Sequence, residues 1–185
     1  AVARRFAEEG ARLCLADRYG CAELAEDLEA AGHALIDIPT DVTSSDDIHT
    51  MVQRALESFG KIEFLVTVAG IASTGGAETL PESTWDRVMA VNLKGVFRCC
   101  QAVIPAMRAA RYGRIVTIGS VLAKNGGNPR PWIDRGEQAR SGNVAYGAAK
   151  AGVHAMTLYL AKELAADNIT VNWVAPGPIA SAMTT

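Results

Sequence analysis

Short apolar runs alternate with longer amphipathic stretches along the whole chain. The runs cover residues 12–16 (RLCLA), 35–38 (LIDI), 64–68 (FLVTV), 115–118 (IVTI) and 169–175 (ITVNWVA). They are nearly continuous in apolar residues, the pattern of strands buried on both faces of a parallel sheet. Helices are predicted between them, over 21–31, 44–59, 81–110 and 145–167. Ser44, Ser45, Asp46 and Asp47 supply a cap and acids for a first turn, and Pro81-Glu82 suits a helix start. Gly10, Gly32, Gly60 and Gly113 follow helical stretches, where a left-handed residue often stops a helix. Strand–helix–strand repetition with short links implies parallel pairing through right-handed crossovers. The fold class is α/β, a doubly wound parallel sheet.

Composition narrows the function classes. The 185 residues carry 18 Lys+Arg against 20 Asp+Glu, a formal charge of −2. The basic footprint that nucleic-acid binding needs is absent. With 49% apolar residues the chain has enough to build one core. No apolar run reaches the ~18 residues of a membrane span, and the first residues have no signal-peptide apolar segment. Cys14, Cys21, Cys99 and Cys100 show no metal or redox spacing and read as reduced thiols of a cytoplasmic protein. His33, His49 and His154 are scattered, so no metal site is expected.

Tyr146-Gly147-Ala148-Ala149-Lys150 carries the strongest chemical signal. Four residues is about one helical turn, so the phenol and the ammonium share a face. A phenol titrates near ~10, and a nearby cation favours its ionised form. Ser120 closes the 115–118 run at the carboxyl edge, where open α/β sheets bind ligands. Asn92 lies inside a predicted helix, where Asn is unfavourable and needs a reason. Ala69-Gly70 follows the 64–68 run, and Pro176-Gly177 follows the last one. Asp17 ends the first run, placed to accept ribose hydroxyls.

These pieces, in this order, resemble the short-chain dehydrogenase/reductase family. The resemblance implies a Rossmann-type fold and a single dinucleotide-binding oxidoreductase domain over residues 1–185. It implies an NAD(P)-dependent alcohol/carbonyl oxidoreductase with Asn92, Ser120, Tyr146 and Lys150 as catalytic residues. In that reading Tyr146 exchanges the proton with the substrate oxygen and Ser120 holds that oxygen. Lys150 binds the nicotinamide ribose and favours the phenolate, and Asn92 anchors a water of the proton relay. Asp17, Arg18, Asp41, Val42, Ala69, Gly70, Tyr146, Lys150, Pro176, Gly177, Ile179 and Ser181 would contact the cofactor. Family members often form homodimers or homotetramers, and the substrate would be a small alcohol or carbonyl compound.

Three departures shape the expectations. In a dinucleotide fold the acid lies ~20 residues beyond a Gly-rich phosphate loop, and counting back from Asp17 falls before residue 1. The first strand and the C-terminal end of the domain are therefore expected to be absent from these residues, leaving a gap beside the 12–16 strand. Thr67-Val68-Ala69-Gly70 stands where the family has Asn-Asn-Ala-Gly, so a side-chain brace is lost at Val68 while Thr67 can still hydrogen-bond. The stretch 124–143 is longer than usual, and its Gly and Pro content argues against a regular element. There Trp132 would suit an apolar substrate and Arg130, Arg135 or Arg140 an anionic one; a surface or subunit-contact loop is the plainer reading. NAD is expected over NADP, because Asp17 repels a 2′-phosphate while Arg18 attracts one. An NADPH-dependent 3-oxoacyl-carrier-protein reductase is the alternative. A silent nucleotide-binding sensor is a third reading, disfavoured by the intact catalytic set.

Overall fold

The computed structural model describes residues 1–126, 130–177 and 179. Helix α1 (Val2–Glu8) leads into β1 (Leu13–Asp17), followed by α2 (Ala22–Ala30) and β2 (Leu35–Pro39). Then come α3 (Ser45–Phe59) and β3 (Phe64–Thr67). Helix α4 (Glu82–Met89) runs through a π-helical turn (Ala90–Gly95) into α5 (Val96–Ala110). Strand β4 (Gly113–Ile118) precedes α6 (Leu122–Asn125), α7 (Arg135–Ser141) and the long α8 (Val144–Leu164). A 3-10 turn (Ala165–Asp167) then delivers the chain to β5 (Ile169–Val174).

Local signals explain the best-defined elements. Ser44 caps α3 by accepting the Asp47 N–H at 3.2 Å, and Asp46 and Asp47 place negative charge in its first turn. Gly60 stops the helix in the left-handed conformation, with φ of 77°. Ile48, Met51, Val52 and Ala55 form the buried stripe of α3, and Val96, Cys99, Cys100, Val103 and Met107 that of α5. These pack with Ile115 of β4, Val153, Leu160 and Leu164 of α8, and Ile169 and Val171 of β5 as the main core. Burial pushes the Cys14 and Cys99 thiols up to about 11 and Cys100 to about 12, so they stay protonated.

All strand pairs are parallel, but they fall into two sheets, β1-β2 and β3-β4-β5. Between the β1 and β3 edges lies a cavity of about 1000 Å³, lined by Leu13, Leu15, Leu65, Val66 and Val96 among others. The order β2-β1, gap, β3-β4-β5 is the doubly wound order with one central position open, the gap expected beside the 12–16 run. The expectation of two-faced burial does not hold for β5. Ile169 and Val171 are buried while Thr170, Asn172 and Val174 are exposed. Among the described residues β5 pairs only with β4, and its buried positions face α8. Thr67 Oγ1 is buried with no hydrogen-bond partner among the described residues, on the wall of the cavity. Among the described residues no helix is long and apolar enough to cross a membrane.

Candidate active site

Because every pairing is parallel, the strands end along a common edge of the molecule. Asp17 ends β1, Thr40–Val42 follows β2, Val68–Gly70 follows β3, Gly119 and Ser120 follow β4, and Ala175–Gly177 follows β5. That edge is where open α/β sheets take their ligands.

Asn92 occupies the middle of the π turn and is fully buried. Its Nδ2 donates to Ile71 O and its Oδ1 accepts from Ile71 N–H, both at 2.8 Å. The side chain thus pairs with a loop backbone as a neighbouring strand would. This is the reason the sequence lacked for an Asn inside a helix. The wider turn directs the amide sideways into the loop after β3, and single π turns recur at functional sites. Gly70, just before Ile71, lies against the same group: a Cβ there would be 3.5 Å from Asn92 Oδ1 and 3.7 Å from Lys150 Nζ.

Lys150 comes from α8 and is only 3% exposed. Its ammonium donates to Ile118 O at the end of β4, at 2.6 Å, and sits 5.7 Å from the centre of the Tyr146 ring. Burial holds its pKa below the usual lysine value. The approach of α8 is possible because its inner face carries small residues. Ala145 and Ala149 pack on Val88 of α4, and a Cβ on Gly152 would lie 2.9 Å from Leu93 of the π turn. Ser120 is buried, and its Oγ accepts the Leu122 N–H at 3.2 Å. Accepting that bond leaves the hydroxyl proton as a donor. Asn92 and Lys150 thus both border Gly70. Lys150 ties Tyr146's helix to the strand end that carries Ser120.

The β1–β2 side is built differently. Asp17 Oδ1 accepts the Tyr19 N–H at 3.0 Å, while the Asp17 carbonyl receives the Gly20 and Thr40 amides. Arg18 Nε pairs with Asp41 Oδ2 at 3.3 Å, so its charge is held by a neighbouring carboxylate. Asp41 also accepts the Thr43 hydroxyl and amide. These bonds, the hydroxyl first and then the amide, with Arg18 adding to them, hold its carboxyl below the usual range. Val42 packs against the π turn that carries Asn92, since a Cβ on Gly95 would lie 2.8 Å from Val42 Cγ2. On the far side, Pro176 O accepts the Val121 amide at 3.1 Å. Gly177 follows, and Ile179 is exposed. Ser181 lies outside the described residues.

The 124–143 stretch corrects the sequence reading, since it contains the end of α6 and all of α7. Asp134 caps α7 by accepting the Glu137 N–H at 2.7 Å. Glu137 in turn accepts the Ile133 amide at 2.6 Å and two bonds from Arg130, at 3.0 and 2.6 Å. Those bonds, the Arg130 contact first, lower the Glu137 pKa to about 2. Asp-x-x-Glu is a capping-box spacing, and it outweighs the helix-breaking composition around it. Gly75 N–H donates to Gly142 O at 2.9 Å, fastening this stretch to the loop after β3. Trp132 is half-buried there and Ile133 exposed.

Sequence reasoning passed over Trp173 and His154, whose rings stack at 4.3 Å between centroids.

Comparison with known proteins adds to this geometry. The family model for enoyl-(acyl carrier protein) reductase matches residues 1–185. The (2S)-((R)-hydroxy(phenyl)methyl)succinyl-CoA dehydrogenase subunit BbsD of Thauera aromatica is 37% identical over 98% of this chain and 68% of its own length. The 3-oxoacyl-(acyl-carrier-protein) reductase FabG of Thermotoga maritima is 38% identical over 97% of this chain and 68% of its own. Among solved structures, gox2181 superposes with a TM-score of 0.86 at 33% identity, over 98% of this chain and 67% of that one. The spacing of Tyr146 and Lys150, the placement of Lys150 and Asn92 around Gly70 at the strand ends, and these likenesses over almost the whole chain agree. The chain belongs to the short-chain dehydrogenase/reductase family, a family of NAD(P)-using oxidoreductases.

Proposed function

We propose that the protein interconverts a secondary alcohol and its ketone with NAD(H), residues 1–185 forming part of one dinucleotide-binding oxidoreductase domain. The observation that carries this reading is the buried Lys150 ammonium, held between Ile118 O and the Tyr146 ring and close to Gly70 and Asn92. The residues present fit the ribose and nicotinamide parts of a dinucleotide, the phosphate loop being expected outside them. Asp17 offers a carboxylate oxygen at the end of β1, and Gly70 leaves backbone open to close approach beside Lys150. The nicotinamide group supplies the hydride chemistry when bound. Lys150 donates to the ribose and stands beside the Tyr146 ring. Tyr146 gives its phenolic proton to the carbonyl oxygen during reduction and takes it back during oxidation. Ser120 donates its free hydroxyl proton to the same oxygen. Asn92 fixes the loop at Ile71 and anchors a water on the relay side. Asp41, Val42, Ala69, Pro176, Gly177, Ile179 and Ser181 line the rest of the cofactor path.

NAD is preferred in this reading, because Arg18 is already paired with Asp41 and Asp17 stands uncompensated at the strand end. The second reading is an NADPH-dependent 3-oxoacyl-carrier-protein reductase, favoured by the FabG relatives. The remaining parts of the proposal are a small alcohol or carbonyl substrate, a homodimer or homotetramer, and a cytoplasmic location. Steady-state kcat/KM with NAD(H) and NADP(H), over a panel of alcohols, ketones and a 3-oxoacyl thioester, tests it. Turnover of simple ketones with NADH supports the first reading. Turnover confined to the thioester with NADPH replaces it with the second.

A further inference from the structure

Trp173 is the next-to-last residue of β5, in register with Thr117 of β4. Its indole reaches past that partner to Gly119. A Cβ on Gly119 would lie 1.6 Å from the indole Nε1 and 2.1 Å from Cε2, so the ring fills the volume that a side chain at 119 would need. One face of the indole stacks on His154, with planes 21° apart. Lys124 Nζ lies 5.4 Å from the ring as a cation–π neighbour.

Each contact belongs to a different part of the catalytic frame. Gly119 immediately precedes Ser120, and Lys124 lies in the short helix that follows it. His154 follows Tyr146 and Lys150 on α8 at steps of four, so the three share one helix face. Within the sheet, the spacing of the β4 end is set by backbone bonds, Gly119 N–H to Val174 O at 2.7 Å and Val121 N–H to Pro176 O at 3.1 Å. Between sheet and helix, the spacing is shared by the Lys150–Ile118 bond, the buried Thr117–Thr157 hydroxyl pair at 2.8 Å and, nearest Ser120, this ring. The indole N–H is buried without a hydrogen-bond partner among the described residues, so packing, not polar bonding, holds the ring.

We propose that Trp173 is a positioning residue: its indole sets the separation between Ser120 and the Tyr146–Lys150 face of α8, and residue 119 is glycine so that the ring can reach. The proposal rests on the oxidoreductase reading above and adds to it a determinant that touches neither substrate nor cofactor. Ring volume does the work, so phenylalanine substitutes in part and alanine does not.

The test uses the full-length protein and four variants: Trp173→Phe, Trp173→Ala, Gly119→Ala, and Gly119→Ala combined with Trp173→Ala. The readouts are kcat and KM for ketone reduction, the NADH Kd by fluorescence, and hydrogen exchange of peptide 119–125. Trp173→Ala is expected to lower kcat by about tenfold or more, since small displacements of reacting groups are costly, with KM and NADH Kd within about twofold. Exchange of 119–125 rises while that of 64–71 is unchanged. Trp173→Phe recovers most of kcat. Gly119→Ala is as damaging as Trp173→Ala in the parent, yet adds less than about twofold once the indole is gone, the non-additivity of groups competing for one volume. Additive effects, or a Trp173→Ala kcat within about twofold of the parent, overturn the proposal. If the parent reduces no carbonyl compound, the oxidoreductase reading falls, and the exchange data alone decide the positioning role: unchanged protection of 119–125 in Trp173→Ala ends it. If Trp173→Ala does not fold, Trp173→Phe and Gly119→Ala decide, and a Gly119→Ala protein with parental exchange rejects the idea.

Discussion

The two ends of the ligand edge are made from different materials. On the β3–β4–β5 side, Asn92 and Lys150 are buried and tied to backbone at 2.6–2.8 Å, with Ser120 beside them. On the β1–β2 side, Asp17, Arg18 and Tyr19 are exposed, and their contacts are a turn and a solvent-facing ion pair. Proton transfer depends steeply on distance, so its groups gain from fixed, dry surroundings. Gripping a flexible nucleotide tolerates small shifts, and exposed pairs contribute at most about 1 kcal/mol. Damage on the first side should therefore be large and structural, and on the second smaller and confined to selectivity.

The largest effect expected is at Tyr146. Tyr146→Phe keeps the ring beside Lys150 and removes the transferable proton, a step contributing ~10²–10⁴-fold. kcat should fall by that order while NADH affinity holds; a variant with parental kcat would remove Tyr146 from the reaction. Next is Asn92→Ala. It strips both partners from Ile71 at a buried site, with an expected loss of about 2–4 kcal/mol from two bonds and a small cavity. Denaturant unfolding reads this directly, and a loss under about 1 kcal/mol would contradict the strand-like role given to the amide.

Crossing to the other side, Asp17→Ser should change cofactor choice and little else. A carboxylate ~4 Å from a phosphate charge feels about 4 kcal/mol at an effective dielectric of ~20, before screening. A third of that is about tenfold in the ratio of kcat/KM for NAD over NADP. The ratio should shrink by that order in Asp17→Ser, with melting temperature unchanged. A parent that prefers NADP would show that Asp17 does not face the ribose.

The smallest effect lies in the α7 segment and depends on pH. Glu137 titrates at about 2 in the fold against 4.5 unperturbed. The Arg130–Glu137 contribution is therefore present above pH 4.5 and fades as pH falls toward about 2. Limited proteolysis of 130–142 should accelerate across that window, while the buried catalytic side, free of such a carboxylate pair, keeps its protection. Equal loosening of both would blur the contrast between them.

What could be read in the sequence divides along similar lines. The strands were legible because each apolar run is continuous, and α3 because Ser44 and the acids after it announce a start. Tyr146 and Lys150 were legible because helix geometry alone places them together. The purpose of Asn92 was not, since its partner Ile71 is 21 residues away and only the tertiary fold brings it near. Helix α7 was missed by weighing Gly and Pro content above the Asp134–Glu137 spacing.

The π turn at Ala90–Gly95 bears on which changes in chain length the protein tolerates. An α-helix advances about 100° per residue, and a π turn accommodates one residue more than an α turn. Val88 of α4 and the Val96–Met107 stripe of α5 both face inward, and Asn92 between them faces the loop at Ile71. Deleting one residue from 90–95 would restore an ordinary helix, turning either the amide or the apolar stripe of α5 about 100° away from its target. Single-residue deletions should therefore be purged from this turn among natural variants. The 130–142 stretch, fastened mainly through Gly75 and its own capping bonds, has room to lengthen or shorten.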